Sequence, residues 1–419
     1  MSWIEPWERI EAIALNDEPL ARVLGRARPP VRAILENALA RREVTAEDGE
    51  TLLGLEDDDL TALVRTADAI RTEDVGDEVT YVVNRNLNFT NVCFVNCQFC
   101  AFKRQRWEDD AYTHGMDVVL DKVAEAIARG ATEICMQGGI NPEMSAFAYR
   151  DTLTAIKNRF PAIHVHAFSP MEIMYGAKRV RMDYPEYITM LKEHGLGSIP
   201  GTAAEILDDG VREILSHKKV DVAAWVEIIT TAHAVGVPTT STVMYGHVET
   251  PHHVVNHLDL LRTIQKQTHG FTEFVPLRFI HQNTMLYRKG LVSPVERGQL
   301  DFQMYALSRL FLRGQIDNIQ TSWVKCGIDL AALTLKAGCN DLSGTLMEES
   351  ITAQAGGDSG EFVPVDLFEE KAREMGRVAV ERTTLYKKLY GRKAPNGARP
   401  IASPPAAADN HACGGSGCG

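Results

Sequence analysis

An α/β fold organised as a parallel (β/α)8 barrel is what this sequence predicts, on three observations. Short runs rich in β-branched and aromatic residues recur eight times from residue 78 onward. Longer amphipathic stretches separate them. Two of those stretches, 117–130 (DVVLDKVAEAIARG) and 221–236 (DVAAWVEIITTAHAVG), end in Gly, the residue that stops helices most readily. Strands that alternate with helices pair in parallel, because each crossover needs a dozen residues or more.

Taken in order, residues 1–77 read as a helical segment. Apolar residues recur at helical spacing in VRAILENAL and in DLTALVRTADAIR, and TAED opens a helix with a Thr cap. The barrel is expected over 78–391. Its strands are expected at 78–84, 133–137, 163–168, 196–200, 238–245, 272–279, 318–323 and 340–344. A partial six-unit barrel with extra elements is the alternative. Residues 392–419 are rich in Pro, Ala and Gly and are expected to form a disordered tail. No internal repeat is visible beyond the alternation itself.

The chain has 419 residues, 45% of them hydrophobic, so a large core is available. No apolar run reaches a membrane-spanning length, and the start MSWIEPWERIEAIAL lacks a basic stretch followed by an apolar one. Membrane insertion and secretion are therefore not expected. The net charge of −12 argues against nonspecific nucleic-acid binding.

Eight cysteines are present, and three of them carry the chemistry. Cys93, Cys97 and Cys100 stand as Cys-x3-Cys-x2-Cys, in a loop after the first expected strand. Three thiolates on one loop can hold three irons of a four-iron, four-sulfur cluster and leave the fourth open to a small molecule. A zinc knuckle needs a fourth ligand, and no further Cys or His lies at close spacing. Cys135, Cys326 and Cys339 sit in apolar surroundings and read as buried thiols. Cys413 and Cys418 lie in the terminal HACGGSGCG, read as part of the unstructured tail. Reduced thiols and an oxygen-sensitive cluster point to the cytoplasm. In a barrel, loops after the C-terminal strand ends build the active site, and the cysteine loop lies there.

This spacing, with Phe99 before the last cysteine and Ala101-Phe102 after it, resembles the motif of radical S-adenosylmethionine (SAM) enzymes. The resemblance extends to HAFSPMEI, GLGSIPGTAAEIL, STVMYGHVET, FTEFVPLRFIHQNTMLY and NDLSGTLMEESITAQAGG, and covers roughly residues 30–390. These segments look like the subgroup that makes deazaflavin and menaquinone precursors. Within it the chain most resembles the family of second Fo synthase subunits, which join tyrosine's 4-hydroxybenzyl group to 5-amino-6-(D-ribitylamino)uracil.

The resemblance implies one 4Fe–4S cluster on Cys93, Cys97 and Cys100, with S-adenosylmethionine on the open iron. It implies cofactor contacts from Phe102, from Gln137, Gly138 and Gly139 after the second strand, from Glu205 after the fourth and from Met244 on the fifth. Ile140 and Asn141 stand where the family usually has a Glu, so backbone groups must serve there. Glu205 is also readable as a first-turn helix residue, with the ligand role ahead, and Met244 is equally readable as core. Substrate contacts are expected from His166, Ser169, Arg278, His281 and Asn283, with Gln282, Ser322, Lys325, Asn340, Asp341 and Ser343 as further polar candidates at strand ends. An Arg is expected to hold the tyrosine carboxylate.

The implied partners are L-tyrosine and the ribitylaminouracil as substrates, an electron donor, and a separate first subunit of Fo synthase that closes the ring. Alternatives within the subgroup are dehypoxanthine futalosine cyclase and aminofutalosine synthase. A non-enzymatic iron–sulfur electron carrier is a third reading, although such proteins use four protein ligands per cluster.

Overall fold

The computed structural model describes residues 6–392. The chain opens with five helices: α1 (Pro6–Ala14), α2 (Leu20–Arg26), α3 (Pro29–Leu39), α4 (Ala46–Leu52) and α5 (Asp57–Val75). Thr45 caps α4 as its sequence suggests: its hydroxyl accepts from the Asp48 N–H at 3.1 Å, and the Asp48 carboxylate returns the bond. The long α5 is the hub of this segment. It packs against α2, α3 and the helix Gln299–Phe311.

Eight strands follow: β1 (Glu78–Val82), β2 (Asn84–Leu87), β3 (Glu133–Met136), β4 (His164–Ala167), β5 (Thr239–Tyr245), β6 (Phe271–Arg278), β7 (Asp341–Gly344) and β8 (Val378–Glu381). Every ladder among them is parallel: β7–β1–β8, β2–β3–β4 and β5–β6. Single parallel bridges join the ladders: His166 to Ser198, Ile199 to Thr239, Phe274 to Ile319 and Gln320 to Asp341. The pairings thus pass from β2 around to β7 and return to β1. Gly130 and Gly236, both at positive φ, end the helices Met116–Ala128 and Val222–Ala234 as expected.

Four expectations about strands need correction. The expected run 78–84 is broken at Val83, because β1 pairs with β7 and β8 while β2 pairs with β3. The expected strands at 196–200 and 318–323 are reduced to the bridge residues 198–199 and 319–320. Gly197 packs so closely that a Cβ there would meet the His164 ring at 2.5 Å. At the second site the Asn340 side chain accepts from the Ile319 N–H at 2.9 Å, so a side chain replaces a ladder partner. Finally, β8 was not expected; it is four residues long and its first residue is exposed, so it carries little strand signal.

Inside the strands, alternate residues face one cavity of about 430 Å³. They are Val82, Asn84, Asn86 and Asn88 on β1, on β2 and just after it, and Glu133, Cys135 and Gln137 on and after β3. Thr240, Thr242 and Met244 serve on β5, and Glu273, Val275 and Leu277 on β6. This is the two-residue period of a strand, seen from within. Apolar residues of the opposite parity, such as Ile134, Met136 and Val243, are fully buried outside the cavity. No helix is long and apolar enough to cross a membrane, among the described residues.

Candidate active site

The cysteine loop leaves β2 and is braced by its own side chains. Arg104 folds over it, donating to the carbonyls of Ala101 (2.9 Å), Phe102 (3.3 Å) and Lys103 (3.0 Å). The Cys93 N–H donates to the Arg104 carbonyl at 3.1 Å. Asn91 spans the loop, giving to the Asp110 carbonyl and accepting from the Tyr112 N–H, both at 2.8 Å. Asn96 adopts φ 64°, a left-handed turn that Asn tolerates better than most residues. Gln98 is tied to its surroundings through the carbonyl of Leu215 (2.8 Å) and the N–H of Leu286 (3.1 Å).

Cys93, Cys97 and Cys100 are free thiols, and all three line the cavity. No three His, Cys, Asp or Glu side chains converge as they would around a single ion, among the described residues. A cluster places each thiolate on its own iron and does not require such convergence. Burial pushes the Cys97 thiol up to about 12 despite nearby Lys219, and the Ser216 hydroxyl donates to its sulfur at 3.0 Å. Two buried acceptors on the cavity wall, Asn86 Oδ1 and Asn88 Oδ1, have no hydrogen-bond partner among the described residues. Buried polar atoms are rarely left so, and these suit a ligand bearing N–H or O–H donors. The donor set thus fits an iron–sulfur cluster with a polar small molecule beside it.

Gly138 and Gly139 line the cavity and are also packing residues. A Cβ on Gly138 would lie 2.6 Å from the Phe89 ring, and one on Gly139 would lie 2.3 Å from the Val92 carbonyl and 3.0 Å from Cys93 Cβ. The glycines let the end of β3 press against the cysteine loop. Gln137 is fixed by two bonds, its carbonyl accepting from Asn88 at 3.1 Å and its side chain from the Thr202 hydroxyl at 3.0 Å. Phe102 is buried beside the cavity, edge-on to Tyr112 at 6.4 Å.

Glu205 is not in a helix; the nearest one starts at Asp209, so the first-turn reading fails. It sits at φ 41° on a loop laid along β5. That loop is pinned by the Gly201 N–H on the Thr240 hydroxyl (2.9 Å) and by the Met244 N–H on the Glu205 carbonyl (2.9 Å). The Glu205 carboxylate pairs with Lys219 at 2.5 Å and lies 3.5 Å from Arg212. The Met244 carbonyl accepts from His247 Nε2 at 2.9 Å, so both of its backbone groups are already bonded, and the residue lines the cavity.

The expected substrate residues divide. His166 lines the cavity and bonds the Ser198 hydroxyl at 2.6 Å; burial depresses its pKa to about 4, so the ring is neutral. Ser169 also lines it, but its hydroxyl serves the capping box of the helix Pro170–Val180, donating to Glu172 at 2.7 Å. Arg278 touches the cavity, yet its guanidinium is committed to buried Asp301 at 2.7 and 2.9 Å and to the Val295 carbonyl. It is not placed to hold a tyrosine carboxylate. His281 and Asn283 do not line the cavity: His281 packs edge-on to Tyr287 at 4.8 Å, and Asn283 donates to the Gln354 carbonyl at 3.0 Å. Of the further candidates, Ser322, Lys325 and Ser343 line it. Asn340 and Asp341 are structural, holding Arg309 and Arg382.

Several groups on the wall were not expected. Glu172 accepts from the Ser169 N–H, the Ser169 hydroxyl and the Gly138 N–H, yet burial outweighs these donors and raises its pKa to about 7. At the opposite end, Glu273 meets Gln320 at 2.8 Å, Arg382 at 3.3 Å and the Tyr386 hydroxyl. The signal for Glu133 and Glu273 is a carboxylate at an inward position of an otherwise apolar or hydroxylic strand.

Comparison with known proteins agrees with this geometry. Residues 87–261 match the Radical SAM superfamily, and residues 268–390 match the CofH/MqnC C-terminal region. The chain is 46% identical over 358 residues to a 5-amino-6-(D-ribitylamino)uracil–L-tyrosine 4-hydroxyphenyl transferase of Methanothermobacter thermautotrophicus, covering 85% of this chain and 97% of that one. It is 50% identical over 337 residues to an FO synthase of Nocardia farcinica, covering 80% of this chain but 39% of that protein. The chain thus spans about two fifths of such FO synthases. Among solved structures, methylornithine synthase superposes with a TM-score of 0.66 at 17% identity, covering 83% of this chain and 97% of the other. The FeFe-hydrogenase maturase HydG of Carboxydothermus hydrogenoformans does so with a TM-score of 0.64 at 14% identity, covering 92% and 87%. At these identities the two likenesses speak for the fold alone.

Proposed function

Since the chain belongs to the family of 5-amino-6-(D-ribitylamino)uracil–L-tyrosine 4-hydroxyphenyl transferases, within the radical SAM superfamily, we propose that it cleaves L-tyrosine and joins the 4-hydroxybenzyl group to 5-amino-6-(D-ribitylamino)uracil. The observation that carries this is the 46% identity along 97% of a relative so named, joined to a cavity that the three motif cysteines line. FO synthase relatives at 50% identity favour the same chemistry over the futalosine-type alternatives.

In this reading Cys93, Cys97 and Cys100 hold one 4Fe–4S cluster. With S-adenosylmethionine on its open iron, such a cluster supplies a 5'-deoxyadenosyl radical, the oxidant for the tyrosine. The chain's own residues bind, orient and exclude water. Glu205, fixed by Lys219, offers carboxylate oxygen to donors of the cofactor. Gln137, Gly138 and Gly139 shape its seat against the cysteine loop, and Phe102 and Met244 supply apolar surface. Asn86 and Asn88 offer acceptors to the N–H edge of a uracil. The walls are largely apolar around these few polar groups, which suits chemistry that must be shielded from water.

The circuit of parallel pairings supports reading the fold as a (β/α)8 barrel of TIM type over 78–391, with 1–77 as a helical segment against it. The tail at 392–419 falls, apart from its first residue, outside the described residues. A relative of single-module length supports assigning ring closure to a separate protein. An electron donor and a cytoplasmic setting follow from the cluster's chemistry.

The test is anaerobic turnover with reductant, S-adenosylmethionine, the ribitylaminouracil and tyrosine labelled on its ring and Cβ. The label is expected in a hydroxybenzyl–uracil adduct, while Cα and carboxylate label leaves as a two-carbon fragment. Indifference to tyrosine together with consumption of dehypoxanthine futalosine would overturn the substrate assignment and leave the superfamily intact.

A further inference from the structure

Five cationic side chains line the cavity: Lys103, Lys219, Arg278, Lys325 and Arg382. Three are committed. Lys219 pairs with Glu205, Arg278 with Asp301 and Arg382 with Asp341. Lys103 belongs to the cysteine loop itself, three residues after Cys100.

Lys325 is different. It lies on the helical turn Trp323–Cys326, just beyond the bridge residues 319–320, and the Trp323 indole anchors that turn on the Gly344 carbonyl at 2.9 Å. Its ammonium makes no hydrogen bond or ion pair among the described residues, although it borders the cavity. Burial pulls its pKa below that of an ordinary lysine, and its influential neighbours are Glu349 and Cys100. Glu349 does not come within ion-pair distance; its carboxylate caps the helix Ser350–Gln354 through the Thr352 N–H at 3.1 and 3.3 Å. Lys325 is half-buried, and an ammonium on a cavity wall without a counter-ion suits a ligand that brings the anion.

We propose that Lys325 binds the α-carboxylate of the amino-acid substrate, an assignment that rests on reading the site as tyrosine-cleaving. The groups assigned to the cofactor follow β3, the 198–199 segment and β5. Lys325 instead follows the 319–320 segment, which stands between β6 and β7 in the order of pairings, and Cys100 of the cysteine loop is among its neighbours. A carboxylate held there leaves the phenol ring and Cβ free to extend along the apolar wall formed by Val275 and Leu277.

The experiment measures equilibrium binding to the cluster-loaded protein, with three ligands that share the phenol: L-tyrosine, 3-(4-hydroxyphenyl)propionate and tyramine. A lost charge-assisted bond of ~1.5–3 kcal/mol corresponds to roughly tenfold to a hundredfold in affinity. Lys325→Met should weaken the two carboxylates by that factor, leave tyramine within about twofold by the same reasoning, and leave iron content and S-adenosylmethionine affinity unchanged. Lys325→Arg should restore part of the loss, and Lys325→Gln replaces the Met variant if that one fails to hold iron. Unchanged preference for carboxylates in Lys325→Met overturns the proposal. So does a parallel fall in S-adenosylmethionine affinity, or loss of the preference in Lys103→Met instead. Wild-type protein that neither binds nor consumes tyrosine refutes the function itself. Wild-type protein that consumes tyrosine, with an unchanged KM in Lys325→Met, refutes only the role of Lys325.

Discussion

Lys219 and Glu205 form an ion pair at 2.5 Å on the cavity wall, and the same ammonium lies 5.0 Å from the centroid of the Phe99 ring. One side chain thereby ties the loop that carries Glu205 to the loop that carries the cysteines. Both partners are largely sheltered from water, so the pair is sensitive to the loss of either charge.

Glu205→Gln should weaken S-adenosylmethionine binding while iron content stays normal. The amide offers one acceptor where the carboxylate offers two, and it leaves Lys219 without its counter-ion. A fall of about tenfold or more in affinity is expected from a charge-assisted bond of ~1.5–3 kcal/mol. Isothermal titration of the cluster-loaded variant reads this directly. An unchanged dissociation constant would reduce Glu205 to a brace for Lys219.

Replacing Cys93, Cys97 or Cys100 by Ala should each abolish the cluster and all 5'-deoxyadenosine formation. Cys326 and Cys339 are buried, and Cys326 Sγ is held against the Ser322 carbonyl at 3.1 Å. Burial raises their thiols, Cys326 to about 12. Serine at either site should leave iron content unchanged, as should serine at Cys135, which borders the cavity from β3. Iron analysis after anaerobic reconstitution separates the two groups. A full complement of iron in any of the first three variants would contradict the ligand assignment.

Gly139→Ala tests whether the close approach of β3 to the cysteine loop is needed for assembly. The new methyl would stand 2.3 Å from the Val92 carbonyl and 3.0 Å from Cys93 Cβ, and backbone cannot yield as a flexible side chain does. Displacement of Cys93 should lower cluster occupancy severalfold. Gly54→Ala, with nothing within 4 Å, is the control and should be silent.

The sequence made some of this arrangement legible and hid the rest for physical reasons. The cysteine spacing is a local signal, and Cys93, Cys97 and Cys100 do share one cavity. The Thr45 cap and the helix stops at Gly130 and Gly236 are also local, and they appear as read. The inward faces of β3, β5 and β6 follow from a period of two once the strands are placed. Arg278 misled because its partner Asp301 is 23 residues away on a helix, and no local pattern announces that pair. Ser169 stands before Pro170 with Glu172 three residues on, so SPME carries a capping signal that competes with the substrate-contact reading, and the structure shows the cap. Residues 196–200 and 318–323 lost their ladders to glycine packing and to the Asn340 side chain, both tertiary effects.

His257 provides a pH test of the Glu205 loop. Its ring is fully buried; Nδ1 accepts from the Leu207 N–H at 3.0 Å, and Nε2 donates to the Thr242 carbonyl at 2.9 Å. These two bonds define the neutral Nε2–H tautomer. A proton on Nδ1 would face the Leu207 N–H, and burial also opposes the charge, so the pKa is pushed down to about 3. Unfolded chains hold the ring near 6.5, so between those values the unfolded state binds the extra proton. The stabilisation from neutral His257 is therefore complete above about pH 6.5 and is lost progressively as the pH falls toward 3. Between pH 7 and pH 5 this one group should remove about 2 kcal/mol of stability. Histidine C2 resonances should show this ring still neutral at pH 5, when exposed histidines have titrated. In His257→Gln the fall in unfolding free energy between pH 7 and pH 5 should be smaller by that amount. Equal pH slopes in the two proteins would mean that the ring titrates normally and that the Leu207 bond is not what holds the loop.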